Sequence, residues 1–281
     1  MTPATMTSRE RVLAALNHRE TDRVPIDLGA TTCTTLCTGA YNDFARTLQH
    51  PTEARCLSLA FELAEMDLAL LNRLPVDTRG VYGRPPAHWQ DRWLDENTYV
   101  DEWGITFRRP EGWVQFDMIH HPLAEATTVD EIERHSWPDA NDEGRVAGLR
   151  DHARTLCEEN RYAVVGDIVN SGIFEPAWYV RSMPMFLEDL LLRPEFATAL
   201  LEKLCEVQMA RFDRYLAAVG QYLDVVVVGD DLATQRGPVI SPALYRRLVK
   251  PIQQQYFRFI KERTDAKLWY HTSGNIVPLL D

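Results

Sequence analysis

In the C-terminal half of the chain, short unbroken apolar runs alternate with longer stretches of helical spacing. Residues 225–228 are four consecutive valines, and they stop at Gly229, Asp230 and Asp231. Residues 267–270 end in the same way at His271, Thr272, Ser273 and Gly274. A continuous β-branched run predicts a strand buried on both faces, as in a parallel sheet covered by helices. Helices are expected over residues 143–159, 178–192, 195–219 and 242–263, leading to strands at 162–169, 225–228 and 267–271. Two further strands are expected at 22–29 and 76–82. Thr7 or Ser8 can cap a first helix. Leu57, Phe61, Ala64, Leu68 and Leu71 predict a long amphipathic helix from about residue 54 to 72. Residues 83–122 break the rhythm. They carry Trp89, Trp93, Trp103 and Trp113, and the alternation from Tyr99 to Phe107 predicts a β-rich excursion.

Strands alternating with long helical crossovers predict an α/β fold with a parallel sheet. Only five strands are expected, and the last helix has barely begun at Asp281, so the chain is read as one domain of a longer protein, incomplete at its C-terminus. Its 281 residues suit one large domain. A net charge of -11 argues against nucleic acid and against anionic membrane as the main partner. Five cysteines, an odd number without a C-x-x-C pair, and a polar N-terminus point to a reducing cytoplasm. No apolar stretch approaches the roughly 18 residues of a membrane span.

Polar residues at the C-terminal ends of parallel strands are where such folds place their chemistry. Asp230 and Asp231 could serve as acid, base or hydrogen-bond acceptor; equally, one could cap a helix and the other be solvated. Gln235 adds polar capacity to the same loop. His271 could act as acid or base, bind substrate or ligate a metal, and it is the one candidate metal ligand, with Ser273 beside it. Asp167 and Asn170 end the third strand similarly. Thr31 lies on the polar loop after the first, where Cys33 and Cys37 read as small buried thiols.

The segment from Arg9 to Pro25, reading RERVLAALNHRETDRVP, resembles the opening of the uroporphyrinogen decarboxylase-like family. Phe174-Glu175-Pro176-Ala177-Trp178, Phe186 to Leu191, Gly229 to Gln235, Ile240-Ser241-Pro242 and His271 to Ile276 are similar to its corrinoid-dependent methyltransferase branch. The resemblance implies a TIM-type (β/α)8 barrel, here without its C-terminal strands. It implies methyl transfer between a small methylated substrate and a partner protein carrying the corrinoid, with Asp230, Asp231 and His271 as acid catalysts. Asp167, Asn170, Gln235, Ser273 and Thr31 would bind substrate. No cofactor is expected to be held tightly by this chain. Two departures shape the expectation. The family's decarboxylases carry an Arg-rich stretch after the first strand, and residues 25–33 here contain no arginine. Thiol-activating relatives use His-x-Cys for zinc, where this chain has His271-Thr272-Ser273; serine is a poor zinc ligand. Decarboxylation of uroporphyrinogen is the alternative, and a ligand-binding barrel without turnover a further one.

Overall fold

The computed structural model describes residues 5–280. Its centre is a four-stranded parallel sheet, Thr78–Tyr82, Ala163–Asp167, Val225–Gly229 and Lys267–His271, whose spatial order follows the sequence. Every connection is a helical crossover, as parallel strands require. The longest helix, Pro194–Val219, packs beneath the sheet, with Pro194 in its first turn, where a missing N–H costs least.

The valine run shows why the sheet is buried twice. Val164, Val226 and Val228 join the large core under the helices, whereas Val165, Val225 and Val227 cluster with Ala30 on the opposite face. Alternate residues of a strand point to opposite faces, so the valines serve both. Burying each stabilises by about 1.5–3 kcal/mol.

Residues 92–120 form a separate antiparallel sheet of Arg92–Asp95, Thr98–Val100, Thr106–Arg108 and Asp117–His120. Tyr99 stacks on Phe107 with ring centroids 5.1 Å apart.

Two expected elements are corrected. The strand at 22–29 does not form. Pro25 has no N–H to offer, and the Ile26 N–H donates to the Asp77 side chain at 2.8 Å rather than to a ladder carbonyl. The segment runs beside Thr78–Tyr82 without pairing as a strand. The helix at 54–72 is instead a hairpin, Arg55–Ser58 against Leu63–Glu65, followed by a short helix, Leu68–Leu71. Leu57, Leu59, Phe61 and Leu63 alternate at period two as well as fitting a helix, and Asp67 caps the short helix by accepting from the Ala69 and Leu70 N–H groups. Smaller differences fall at backbone breaks. Ser182, at φ 73°, divides the expected helix at 178–192 into Phe174–Arg181 and Met183–Leu192.

The N-terminal motif anchors the N-terminal ends of the strands. Arg9 pairs with Asp224 at 2.7 Å, and Arg11 with Asp22 and Asp77 at 2.6 Å each. Arg23 pairs with the other Asp77 oxygen at 2.6 Å. Asp77 and Asp224 immediately precede strands, so the motif holds the end of the sheet away from the site described next.

Candidate active site at the carboxyl ends of the parallel strands

Because the four strands are parallel, Tyr82, Asp167, Gly229 and His271 end at the same edge. A cavity of about 330 Å³ opens there, lined among others by Asp167, Glu175, Tyr179, Asp231, His271 and Cys33. Among the described residues, no arginine or lysine lines it.

Asp167 is buried at the cavity wall. Its Oδ2 accepts from the Thr32 N–H at 2.7 Å and the Thr32 hydroxyl at 3.0 Å. Burial raises its pKa, against those two hydrogen bonds and the nearby His271. Glu175 lies in the first turn of Phe174–Arg181. Burial pushes its pKa up to about 7, opposed by the hydrogen bond from Tyr179 and reinforced by Asp230 and Asp231. Tyr179 donates its hydroxyl to Glu175 Oε1, and the Asp231 backbone N–H also donates to this carboxyl group. Asp231 Oδ1 accepts from the Ser273 N–H at 2.8 Å and lies 3.8 Å from His271 Nε2.

The sequence candidates separate in the structure. Asp167, Asn170, Asp231 and His271 line the cavity together. Asp230 does not. It is 1% exposed and caps Phe174–Arg181, accepting from the N–H groups of Ile173 (3.1 Å), Phe174 (2.9 Å) and Glu175 (2.8 Å). Gln253 Nε2 also donates to it, at 3.2 Å. Gly172 permits this approach, since a Cβ there would lie 2.1 Å from Asp230 Oδ1. Burial raises the Asp230 pKa to about 6 even so. Its catalytic assignment therefore becomes a positioning one: it holds the helix that carries Glu175. Gln235 is exposed at the turn of a small hairpin, and Ser273 is exposed, meeting the site through its backbone. Thr31 is buried and does not line the cavity; its hydroxyl accepts from the Cys33 N–H at 3.2 Å and shapes the loop that presents Thr32.

A readable signal distinguished the two aspartates. Val225 and Val227 share one face, so Gly229 and Asp231 continue it and Asp230 faces the helices. Glu175, Tyr179 and Thr32 were missed as site residues. Glu175 stood in a resembling segment, but nothing in the pattern showed that its helix begins at the cavity.

Comparison with known proteins adds the following. The family model for uroporphyrinogen decarboxylase (URO-D) matches residues 114–281. Among solved structures, a methyltransferase from Methanosarcina mazei is similar in fold, with a TM-score of 0.57 and 18% identity, over 98% of this chain and 72% of that one. No curated protein matches.

Proposed function

The chain belongs to the uroporphyrinogen decarboxylase family, and we propose that it moves a methyl group from a small methylated substrate to a corrinoid carried by a partner protein. The observation that carries this reading is Glu175, a carboxylic acid with its pKa near 7, set in a cavity without a cation. When a methyl group is taken from nitrogen, oxygen or sulfur, the heteroatom left behind needs a proton. An acid that titrates near working pH is well matched to give it. The corrinoid, when docked, supplies the nucleophile.

The chain's own residues do the rest. Tyr179 holds Glu175 by Oε1. Thr32 fixes Asp167, and Asp231 with His271 lines the same wall, where they orient the substrate's polar group. A cavity of about 330 Å³ is at the small end of ligand pockets, which run to roughly 1,000 Å³.

Two rival chemistries find less support. A tetrapyrrole with eight carboxylates needs several free cations; among the described residues no arginine or lysine lines this cavity, and in the neighbouring one Arg55, Arg84 and Arg145 are already paired with Glu65 or Glu102. A zinc thiolate needs a deprotonated cysteine. Cys33 is the one cysteine that lines this cavity among the described residues. Among the described residues, no three His, Cys, Asp or Glu side chains are grouped to hold a metal. These donors do not fit zinc, and no step is assigned to it.

The test is to incubate the purified protein with cob(I)alamin and a panel of methylated amines, thiols and methoxy compounds, following the absorbance of methylcob(III)alamin. Methylation from one chemical class is expected, and its loss in Glu175→Gln. Conversion of uroporphyrinogen to coproporphyrinogen, with no methylcobalamin from any donor, would overturn the reading.

A further inference from the structure

A second cavity, of about 770 Å³, lies beside the first and shares Ile168, Val169 and Asn170 with it. Aromatic rings line it, among them Trp89, Trp93, Tyr99 and Trp103. Four arginines line it as well. Arg145 pairs with Glu102, while Arg55 and Arg84 share Glu65. Arg211 differs from these. It is only 8% exposed, its hydrogen-bond partners among the described residues are all neutral, and the carboxylate whose charge acts on it, Glu102, is held by Arg145. Nη1 donates to Gln208 Oε1 at 2.8 Å and to the Asn170 carbonyl at 3.4 Å, and Nη2 donates to the Val169 carbonyl at 3.2 Å. Nε is buried and donates to nothing.

Burial lowers the Arg211 pKa to about 10, so the group stays charged at neutral pH. A buried charge without an opposite partner is costly, and an anion in the cavity would relieve that cost. The planar guanidinium matches a carboxylate in particular. Its central carbon lies 5.7 Å from the Trp103 ring centroid, so a flat body attached to that carboxylate meets an aromatic surface. The acids of the wall do not fill this role. Glu102 is held by Arg145, Asp101 accepts from the Trp103 and Ile105 N–H groups at 3.0 and 2.9 Å, and Asp91 accepts from the Trp89 side chain.

We propose that this cavity binds a small carboxylate with a flat apolar body, the carboxylate on Arg211 and the body against Trp103. The inference rests on the methyl-transfer reading and deepens it by naming the substrate class, because Ile168, Val169 and Asn170 line both this cavity and the one that holds Glu175. Binding is measured without turnover, so the two can fail separately.

Isothermal titration calorimetry of the full chain with benzoate and with its uncharged analogue benzamide tests the proposal. Benzoate is expected to bind about tenfold or more tightly than benzamide, the usual effect of one charged hydrogen-bonded pair. Arg211→Met should abolish that preference, and Arg211→Lys, which keeps charge but loses the planar fork, should reduce it. Thermal melting checks that the variants fold; if neither does, the comparison of the two ligands on the unaltered protein decides. No benzoate binding, equal binding of both ligands, or a preference that survives Arg211→Met in a folded variant would each overturn the proposal. Benzoate binding without methyl transfer from any donor would leave the proposal standing and remove the reaction.

Discussion

At the N-terminal ends of the parallel strands, Asp77 and Asp224 sit against guanidinium groups, whereas at the C-terminal ends Asp167, Glu175 and Asp230 have no arginine or lysine partner among the described residues. Burial acts at both ends with opposite outcomes. It works to raise the Asp77 pKa, but the hydrogen bonds from Arg23, the Ile26 N–H and Arg11 outweigh it and hold the group below its ordinary value. At Asp167, Glu175 and Asp230, burial wins and the pKa rises. The same side-chain type is thus a fixed anion at one end of the sheet and a proton carrier at the other. Paired charge at the N-terminal end holds the fold; unpaired acid at the C-terminal end is suited to chemistry.

Substitutions that separate the two ends would break or sharpen this contrast. The largest effect is expected from Glu175→Gln, which keeps shape and removes the proton. Methylation of cob(I)alamin should slow by about 10²–10⁴-fold, the range of a lost general acid, with the denaturation midpoint unchanged or higher at pH 8. A comparable loss of stability with little loss of rate would place Glu175 with the structural group. Next comes Arg11→Ala, which strands Asp22 and leaves Asp77 with Arg23 as its one guanidinium partner among the described residues. It should destabilise the protein by about 3–5 kcal/mol in urea denaturation, while any protein that stays folded keeps its rate.

The third effect concerns pH. The folded pKa of Glu175, about 7, lies above its ordinary value of 4.5. Between those values the folded protein binds more protons than the unfolded chain, so this contribution to stability falls as pH rises. From pH 5 to 8, the unaltered protein should lose about 2–3 kcal/mol relative to Glu175→Gln. Parallel curves for the two proteins would contradict the assignment. The smallest effect is expected from Tyr179→Phe. The Tyr179 hydroxyl lowers the Glu175 pKa, so its removal should raise that pKa and move the alkaline limb of the rate profile, where the acid loses its proton, to higher pH.

The sequence was most legible where one physical demand fixed the residues. Lys267–His271 was expected at its observed bounds, and the 225–228 strand needs valine on both faces because both are covered. It was least legible where two demands overlapped. Residues 57–63 satisfy a helix and a strand alike; the chain turns there as a hairpin, and Asp67 caps the short helix that follows. At residues 22–29, one buried carboxylate, Asp77, takes the N–H that a strand would have used. At the site, strand-end position identified Asp167, Asp231 and His271 as cavity residues. Position alone could not reveal Glu175, whose place depends on Asp230 gathering three backbone N–H groups across 55 to 57 residues of chain.

The most direct measurement is the titration of Glu175 itself, by carboxyl carbon NMR of protein labelled at glutamate, with Glu175→Gln to assign the signal. A midpoint near 7 is predicted for the unaltered protein. A midpoint at the ordinary glutamate value, about 4.3, would mean that the strand-end cavity holds anions like those at the other end of the sheet, and the contrast on which the proposed chemistry rests would be gone.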